Sequence, residues 1–324
     1  MRQTDVKSVM FPVETRPVQY VGLDGNPRAI ESHKAVVNTE SGCTLGVVST
    51  GYRLVTNQQA LEYARNCALQ VFGGKERDSF EVFNVYAPPR PWFCQIDLIH
   101  RGFEVNFVKP EVYLPFVRVT NSYNATRALR FDVGYCRELC ENGVIFEKET
   151  IEFRFSHSHA SIGYELDFRI RKGMMAALQR RFESNAARLA SYRVPDDMSA
   201  PLFFKALELP TPPKNGKAYP KRERYFDELR DRARVLIGDY FRELGGNAYA
   251  LFSAVTDFAS HPPEITSFKR TPHSMQKAAG SWSQTFASKV ARNGGFDLEE
   301  YLGEYLEVNA WSPRSAGEQV QMRL

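Results

Sequence analysis

Two cysteines and two histidines are the side chains here whose types and spacing best suit a metal ion. Cys136 and Cys140 are four residues apart and would share a face of a helical turn. His157 and His159 would alternate along a strand and point to opposite sides. Tetrahedral zinc needs four ligands, and two thiolates with one imidazole supply only three unless Cys43, Cys67 or Cys94 joins them. We therefore predict structural thiols and no metal site.

The chain lacks the sequence motifs of several catalytic centres. It has six histidines but no nucleophile elbow, no phosphate-binding Gly-x-x-x-x-Gly-Lys loop and no dinucleotide fingerprint. Carboxylates suited to magnesium are present, but no Asp followed by Glu-x-Lys completes a nuclease set. We predict no catalytic residue and no cofactor. A hydrolase or nuclease whose site is assembled only in space stays an alternative.

Basic side chains are concentrated in two stretches. Residues 164–195 contain seven Arg or Lys and three acidic residues, and residues 214–225 contain five and one, with tyrosines interleaved. With arginines near residues 118–130, these side chains could hold the phosphates of a nucleic acid while tyrosines stack on its bases. The predicted phosphate contacts are Arg118, Arg127, Arg130, Arg169, Arg171, Lys172, Arg180, Arg181, Lys221, Arg222 and Arg224; the stacking residues are Tyr219 and Tyr225. The alternative interpretation is a solvated helix face and a flexible basic loop.

Composition is that of an ordinary globular protein. The 324 residues are 43% hydrophobic and 25% charged, with a net charge of +4 that is too small to indicate a nucleic-acid partner by itself. An odd number of cysteines and an N-terminus without an apolar signal segment favour reduced thiols in the cytoplasm. No window is apolar for long enough to span a bilayer, so we expect no membrane insertion.

The first half of the sequence is rich in strand patterns. Alternating or β-branched runs are separated by Gly, Pro and Asn, and their short spacing favours antiparallel pairing. The predicted strands are 28–38, 44–49, 79–86, 92–100, 103–108, 112–120 and 150–156, with a short one at 144–146 after a helix stop at Asn142 and Gly143. One helix interrupts them, from a cap at Asn57 to about Val71.

The second half shows helical periodicity. A basic amphipathic helix is predicted over 165–192, and further helices over 222–244, 248–260, 275–292 and 298–308. Six prolines between Pro195 and Pro220 argue against a long regular element there. The fold class is therefore α+β, mainly antiparallel, with an α+β core over 1–194, a proline-rich linker or strap over 195–221, and a helical part over 222–324 that could also pack on the core.

The segment Asn121 to Phe146, NSYNATRALRFDVGYCRELCENGVIF, carries a resemblance to a known family. Its pattern of Asn-Ser-Tyr, a basic stretch and Gly-x-x-Arg-x-x-Cys-x-Asn-Gly resembles domain of unknown function 932. The matching residues are Asn121, Ser122, Tyr123, Gly134, Arg137, Cys140, Asn142 and Gly143. Upstream, Gly51, Tyr52, Val55, Asn57 and Ala60 look like the entry motif of that family. Downstream, NAYALFSAVTDFASH is similar to its helical segment, although Ser253 stands where Asn is often found.

The resemblance implies a protein of phages and plasmids, encoded on mobile genetic elements and acting in a bacterial host cell. It implies no particular activity. We predict a non-enzymatic accessory protein that binds single-stranded DNA, with a role in recombination or annealing. The alternative is an interaction or anti-defence factor that binds a host or phage protein, and self-association is compatible with either.

Overall fold

A computed structural model describes most of this chain and confirms the α+β class. The described residues are 2–72, 80–100, 102, 104, 106, 112–137, 142–144, 151–158, 162, 166, 168, 173–212, 220–263, 271–291, 295–306 and 311. The chain divides into two compact units. The first comprises residues 1–106, 112–137 and 149–179, and the second comprises 107–111, 138–148 and 180–324.

The larger sheet of the first unit is antiparallel. Its strands follow the order β1 (Arg2–Gln3), β5 (Glu81–Ala87), β6 (Phe93–Ile99), β7 (Tyr113–Ser122), β8 (Leu129–Arg137) and β10 (Glu152–Phe155). Apolar residues of α1 (Asn57–Phe72), including Ala60, Ala64 and Ala68, share a core with Ile96 and Val117. Small alanines let the helix lie close to the sheet, so one face of the sheet is apolar and covered.

A smaller sheet has the order β2 (Val13–Val21), β3 (Pro27–Asn38) and β4 (Thr44–Ser49). Val36 and Val48 pack with Tyr52 and Tyr123, which ties this sheet to the end of β7. Gly46 is required at this contact, because a Cβ there would lie 2.6 Å from the Cα of Asn124. The glycine therefore sets the spacing between the two sheets.

The helix α1 begins with a capping box at Thr56, one residue before the cap that the sequence predicts at Asn57. The Thr56 Oγ1 accepts a hydrogen bond from the Gln59 N–H at 3.0 Å, and the Gln59 Oε1 accepts from the Thr56 N–H at 2.9 Å. This reciprocal pattern satisfies two backbone donors at the helix start. Asn57 was predicted to be the cap, but its side chain bonds to other parts of the core.

The second unit is built around helix α5 (Ala248–Ser260), which is buried on nearly every side. Helices α3 (Asp196–Ala206), α4 (Pro220–Leu244) and α6 (Pro272–Val290) contact it, and α7 (Leu298–Leu302) follows. Aromatic rings of α2 (Met174–Ser191) and α3 also pack against α5. The ring centroids of Phe182 and Phe252 are 6.3 Å apart, and those of Phe203 and Phe258 are 5.4 Å apart. Aromatic packing of this kind stabilises a helical core.

Several sequence predictions for these elements are confirmed. The strand predicted over 44–49 has those bounds, as does the helix predicted over 248–260. The predicted helices over 222–244 and 275–292 correspond to α4 and α6 with slightly shifted ends. The strand predicted over 103–108 falls mostly outside the described residues.

Other predictions for these elements are wrong. Helix α2 begins at Met174, because Leu166 and Phe168 lie in non-helical chain and Phe168 packs against Phe131 at 4.8 Å. Helix α3 occupies the stretch where prolines were expected to prevent one, with Pro201 tolerated in its second turn. Cys136 lies in β8 and not on a helical turn. Asn142 and Gly143 belong to strand β9 (Asn142–Val144) instead of ending a helix.

In the described part of the chain, every helix is too short or too polar to cross a membrane.

Candidate functional site

The residues that carry the family resemblance form a buried hydrogen-bond network at the end of β7. The Asn121 Nδ2 donates to the Val55 carbonyl and to the Asn57 Oδ1, both at 2.9 Å. The Asn57 Nδ2 in turn donates to the Val9 carbonyl at 2.7 Å. Both asparagines are almost fully buried. They join β7 to the chain that enters α1 and to the N-terminal segment.

Two tyrosines extend this network. The Tyr123 hydroxyl oxygen accepts from the Asn57 backbone N–H at 2.9 Å, and the Tyr52 hydroxyl donates to the Ser122 carbonyl at 2.5 Å. Burial raises the pKa of both phenols well above the ordinary value, so both stay protonated. We call Tyr52, Asn57, Asn121, Ser122 and Tyr123 the signature network. Its side chains bond to one another and to the backbone, which is the arrangement of a structural hub, although the buried Asn121 Oδ1 has no hydrogen-bond partner among the described residues.

Ser122 also closes the connection between β7 and β8. Its Oγ donates to the Arg127 carbonyl at 2.8 Å and accepts from the Arg127 N–H at 3.2 Å. Of the remaining signature residues, Gly134 is buried in β8, and Arg137, Asn142 and Gly143 are placed only as strand residues. Cys140 lies outside the described residues. The signature residues with described side chains therefore stabilise the end of β7 and the turn that leads to β8.

His157 packs beside the signature network. Its ring stacks on Tyr52 with centroids 4.6 Å apart, and its Nδ1 lies 3.1 Å from the Arg53 carbonyl, to which it donates. The Nε2 is buried and has no hydrogen-bond partner among the described residues. Burial lowers the pKa of this imidazole, and the Arg53 carbonyl opposes that shift. His157 is therefore neutral at neutral pH, and His159 lies outside the described residues.

We expect this histidine to make the fold sensitive to mild acid. Because its folded pKa is below the unfolded value of about 6.5, the unfolded chain binds the proton first as pH falls. The free energy of unfolding should thus be constant above that value and decrease below it until the folded pKa is passed. Urea titrations at pH 7.5, 6.0 and 5.5 measure how the free energy of unfolding changes with pH. His157→Phe should reduce this pH dependence, whereas His33→Gln, at an exposed histidine, should leave it as it is. The same pH dependence in both variants would contradict the prediction.

The face of the larger sheet turned away from α1 carries a row of charged and polar residues. Registered pairs place Asp97 opposite Arg118, Arg118 opposite Asp132, and Asp132 opposite Glu152. Asn84 continues the row opposite Asp97. The sequence pattern did not reveal this row, because cross-strand register is needed to align residues so far apart in the chain.

Arg118 is the largest fully buried side chain of this row and does not reach the surface. Its Nε and one terminal nitrogen donate to the two Asp97 carboxylate oxygens at 2.6 and 2.7 Å. The guanidinium also lies 5.7 Å from the ring centroids of Tyr86 and Phe116. A phosphate contact would require breaking a buried bidentate ion pair. Arg118 is therefore removed from the set of phosphate-binding candidates.

Arg130 and Arg127 lie near each other at the end of the same sheet. Arg130 is paired with Asp132 at 2.5 Å and with Glu152 at 2.8 Å and is mostly buried. Arg127 is exposed, with its guanidinium 4.5 Å from the ring centroid of Phe93. Burial, followed by the charge of Arg130, lowers the pKa of Arg127. Of these two arginines, Arg127 is the one that a ligand can reach.

The second unit holds most of the exposed basic candidates among the described residues. Arg180 and Arg181 are exposed on α2, and Lys221 and Arg222 are exposed in the first turn of α4. Within the described chain, no acidic side chain lies at ion-pair distance from Arg180 or Arg222. Four candidates, Arg169, Arg171, Lys172 and Tyr219, lie outside the described residues.

The rest of α4 is charge-balanced along its surface. Arg224 pairs with Glu228 at 2.9 Å, and Arg230 pairs with Asp227 at 2.9 Å and Asp231 at 3.0 Å. Tyr225 is half-buried. The solvated-face interpretation thus fits α4 from Arg224 onward, whereas the basic residues before it are unbalanced.

A cavity of about 720 Å³ lies in the second unit between α3, α4 and α7. Met198, Ile237, Phe241 and Trp311 form much of its wall, and Arg234 is its basic residue. No histidine or cysteine of the described residues lines it, so it lends no support to a hydrolase based on His157. Among the described residues, no three His, Cys, Asp or Glu side chains are grouped as metal ligands.

The described cysteines differ in burial: Cys67 and Cys94 are buried, and Cys43 is exposed. Burial raises the pKa of Cys94 to about 12 and that of Cys67 well above its usual range, while Cys43 is exposed. Cys67 and Cys94 are therefore unreactive core residues at neutral pH.

Comparisons with known proteins agree with the resemblance carried by the signature. No curated protein and no solved structure matches the chain. The family model described as domain of unknown function (DUF932) matches residues 44–282, which include the signature network and most of the helical unit. Since this match covers well over half of the 324 residues, the chain belongs to the DUF932 family.

Proposed function

We propose that this protein binds single-stranded DNA through exposed basic side chains of its second unit. The observation that carries the proposal is the exposure of Arg180 and Arg222 without an acidic partner in the described chain. A guanidinium already held by a carboxylate must lose that partner to bind phosphate, whereas an unpaired one need not. Arg222 and Lys221 therefore differ from Arg224, which is paired with Glu228.

The position of Lys221 and Arg222 adds to this argument. Both lie in the first turn of α4, where the helix dipole is positive and cationic side chains are unfavourable. A bound phosphate would relieve this repulsion and accept bonds from both side chains. Tyr225, one turn further along, has the ring that base stacking requires.

In this proposal the protein acts as an accessory factor of a phage or plasmid in the cytoplasm of its bacterial host. A strand-binding protein of that kind would assist recombination or annealing. It would need no cofactor, because phosphate contacts and stacking supply the binding energy.

Salt dependence of binding tests the proposal. Affinity for a fluorescent oligothymidylate should fall linearly on a log–log salt plot, by about 0.7 per phosphate contact. The double variant Arg180→Ala, Arg222→Ala should therefore reduce the slope by roughly 1.4. Arg242→Ala is the matched control, because Arg242 is also exposed on α4 but is paired with Asp239. An absence of binding at low salt, or the same slope in all three proteins, would disprove the proposal.

A second candidate function is binding of a host or phage protein, as an anti-defence factor would do. The tip of the β2–β3 hairpin favours it: Leu23 is fully exposed, Val21 is 73% exposed and Tyr20 is half exposed. Apolar side chains grouped in water often mark protein contacts. Cross-linking from a photoreactive residue at position 23 in host extract, with capture of a discrete partner that an oligonucleotide does not displace, would favour this function over the first.

A further inference from the structure

Strand β2 forms an open edge of the smaller sheet. It stands at one end of the order β2, β3, β4, and Glu14, Thr15, Arg16 and Pro17 are all exposed. An exposed strand edge presents backbone N–H and C=O groups that can pair with another strand. Within the described chain, β2 pairs with β3 alone, so its other side is open along Val13 to Pro17.

The hydrogen-bond pattern shows which groups of β2 point outward. The Thr39 N–H donates to the Pro12 carbonyl, so the pair formed by residues 12 and 39 is hydrogen-bonded towards β3. Antiparallel pairs alternate, and Thr15 lies opposite Val36 in the same register. The backbone groups of Val13, Thr15 and Pro17 therefore face away from β3. Pro17, which has no N–H, occupies an outward position that prolines tolerate.

The charges on this edge are self-complementary. Glu14 and Arg16 lie on either side of Thr15, on the opposite face from it, and they form an exposed ion pair at 2.5 Å. If two β2 strands paired antiparallel about Thr15, Glu14 of each would lie opposite Arg16 of the other. Two attractive Glu14–Arg16 pairs would then form across the interface. If the twofold axis passed through any other residue of β2, neither pair would form.

We propose that β2 pairs with β2 of a second copy of this chain about a twofold axis at Thr15. The two small sheets then become one continuous sheet. Thr15 exchanges two backbone hydrogen bonds with its counterpart, and the Val13 N–H of each copy donates to the Pro17 carbonyl of the other. The register shift between Pro17 and Gln19 ends the pairing on that side, so the dimer is weak and concentration-dependent.

A charge swap tests this register in the full-length protein. Arg16→Glu places two glutamates opposite each other at both ends of the pairing and should weaken dimerisation about tenfold or more. The double variant Glu14→Arg, Arg16→Glu restores opposite charges and should return the dissociation constant to within about threefold of the original. Sedimentation equilibrium measures all three proteins, and circular dichroism checks that each is folded. A monomer at every concentration, or no rescue by the double variant, overturns the proposal.

Disulfide trapping gives an independent readout. In a Cys43→Ser background, Thr15→Cys should cross-link under mild oxidation, because hydrogen-bonded antiparallel partners have Cα atoms about 5.5 Å apart. Gln19→Cys is the matched control on the same exposed strand. Its counterpart would be more than about 20 Å away at 3.3 Å per residue, so it should remain at the background level of Cys43→Ser. Equal cross-linking at both positions, or none at Thr15→Cys, overturns the proposed axis.

Discussion

Replacement of Arg118 by methionine should lower the free energy of unfolding by about 3–5 kcal/mol. The loss arises because Asp97, only 3% exposed, would stay buried without the guanidinium that now binds both of its oxygens. Urea unfolding followed by circular dichroism measures the change. A loss below about 1 kcal/mol would mean that water reaches Asp97 and that the pair behaves as a surface ion pair.

A double variant separates the ion pair from simple loss of packing. When Asp97→Leu and Arg118→Met are combined, neither charge of this pair remains buried. Most of the unfolding free energy that Arg118→Met loses should therefore be regained. The second control concerns binding: Arg118→Met, measured where it is folded, should bind oligonucleotide as the original protein does. A selective loss of binding with unchanged stability would instead return Arg118 to the proposed interface.

Replacement of Asn121 by alanine should cost about 2–3 kcal/mol of unfolding free energy, because it removes two buried hydrogen bonds. The Val55 carbonyl would lose the Asn121 amide, and Asn57 would lose the donor to its Oδ1. Asn57→Ala should have a similar effect, since it leaves the Val9 carbonyl without the Asn57 amide. Chemical denaturation of both single variants measures these losses.

The double variant Asn57→Ala, Asn121→Ala should lose less than the two single changes together, with a coupling energy of about 0.5–3 kcal/mol. Asn26→Ala is the matched control. Asn26 is exposed and bonds only within its own turn to Asp24, so its replacement should change stability by less than about 0.5 kcal/mol. Strict additivity of the two buried changes would show that these asparagines do not act as one network.

The signature network gives the family motif a physical meaning. The sequence uses these polar residues only to identify a family, and the structure shows that the described ones bond to the backbone of α1, β7 and the N-terminal segment. A fold whose sheets meet at this point depends on those bonds. The motif therefore identifies the fold of the chain, and the binding site that we propose lies at exposed residues outside the network.

The sequence by itself determined the α+β class, most strands of the first half and the helices of the second. Those features depend on local periodicity, capping and turn residues, which neighbouring residues specify. The predicted start of α2 is wrong because Phe168, which lies inside the predicted helix, packs in the core against Phe131 and Phe153. The prolines gave the opposite error, since α3 continues through Pro201.

Only the tertiary structure decided which basic residues a ligand can reach. Arg118 and Arg180 are the same residue type and are both predicted phosphate contacts, but cross-strand register places Asp97 beside the first, whereas the second is exposed on α2. The open edge of β2 likewise follows from the strand order. Pairing partners and solvent exposure come from contacts between residues far apart in the chain, and a local pattern carries no information about such contacts.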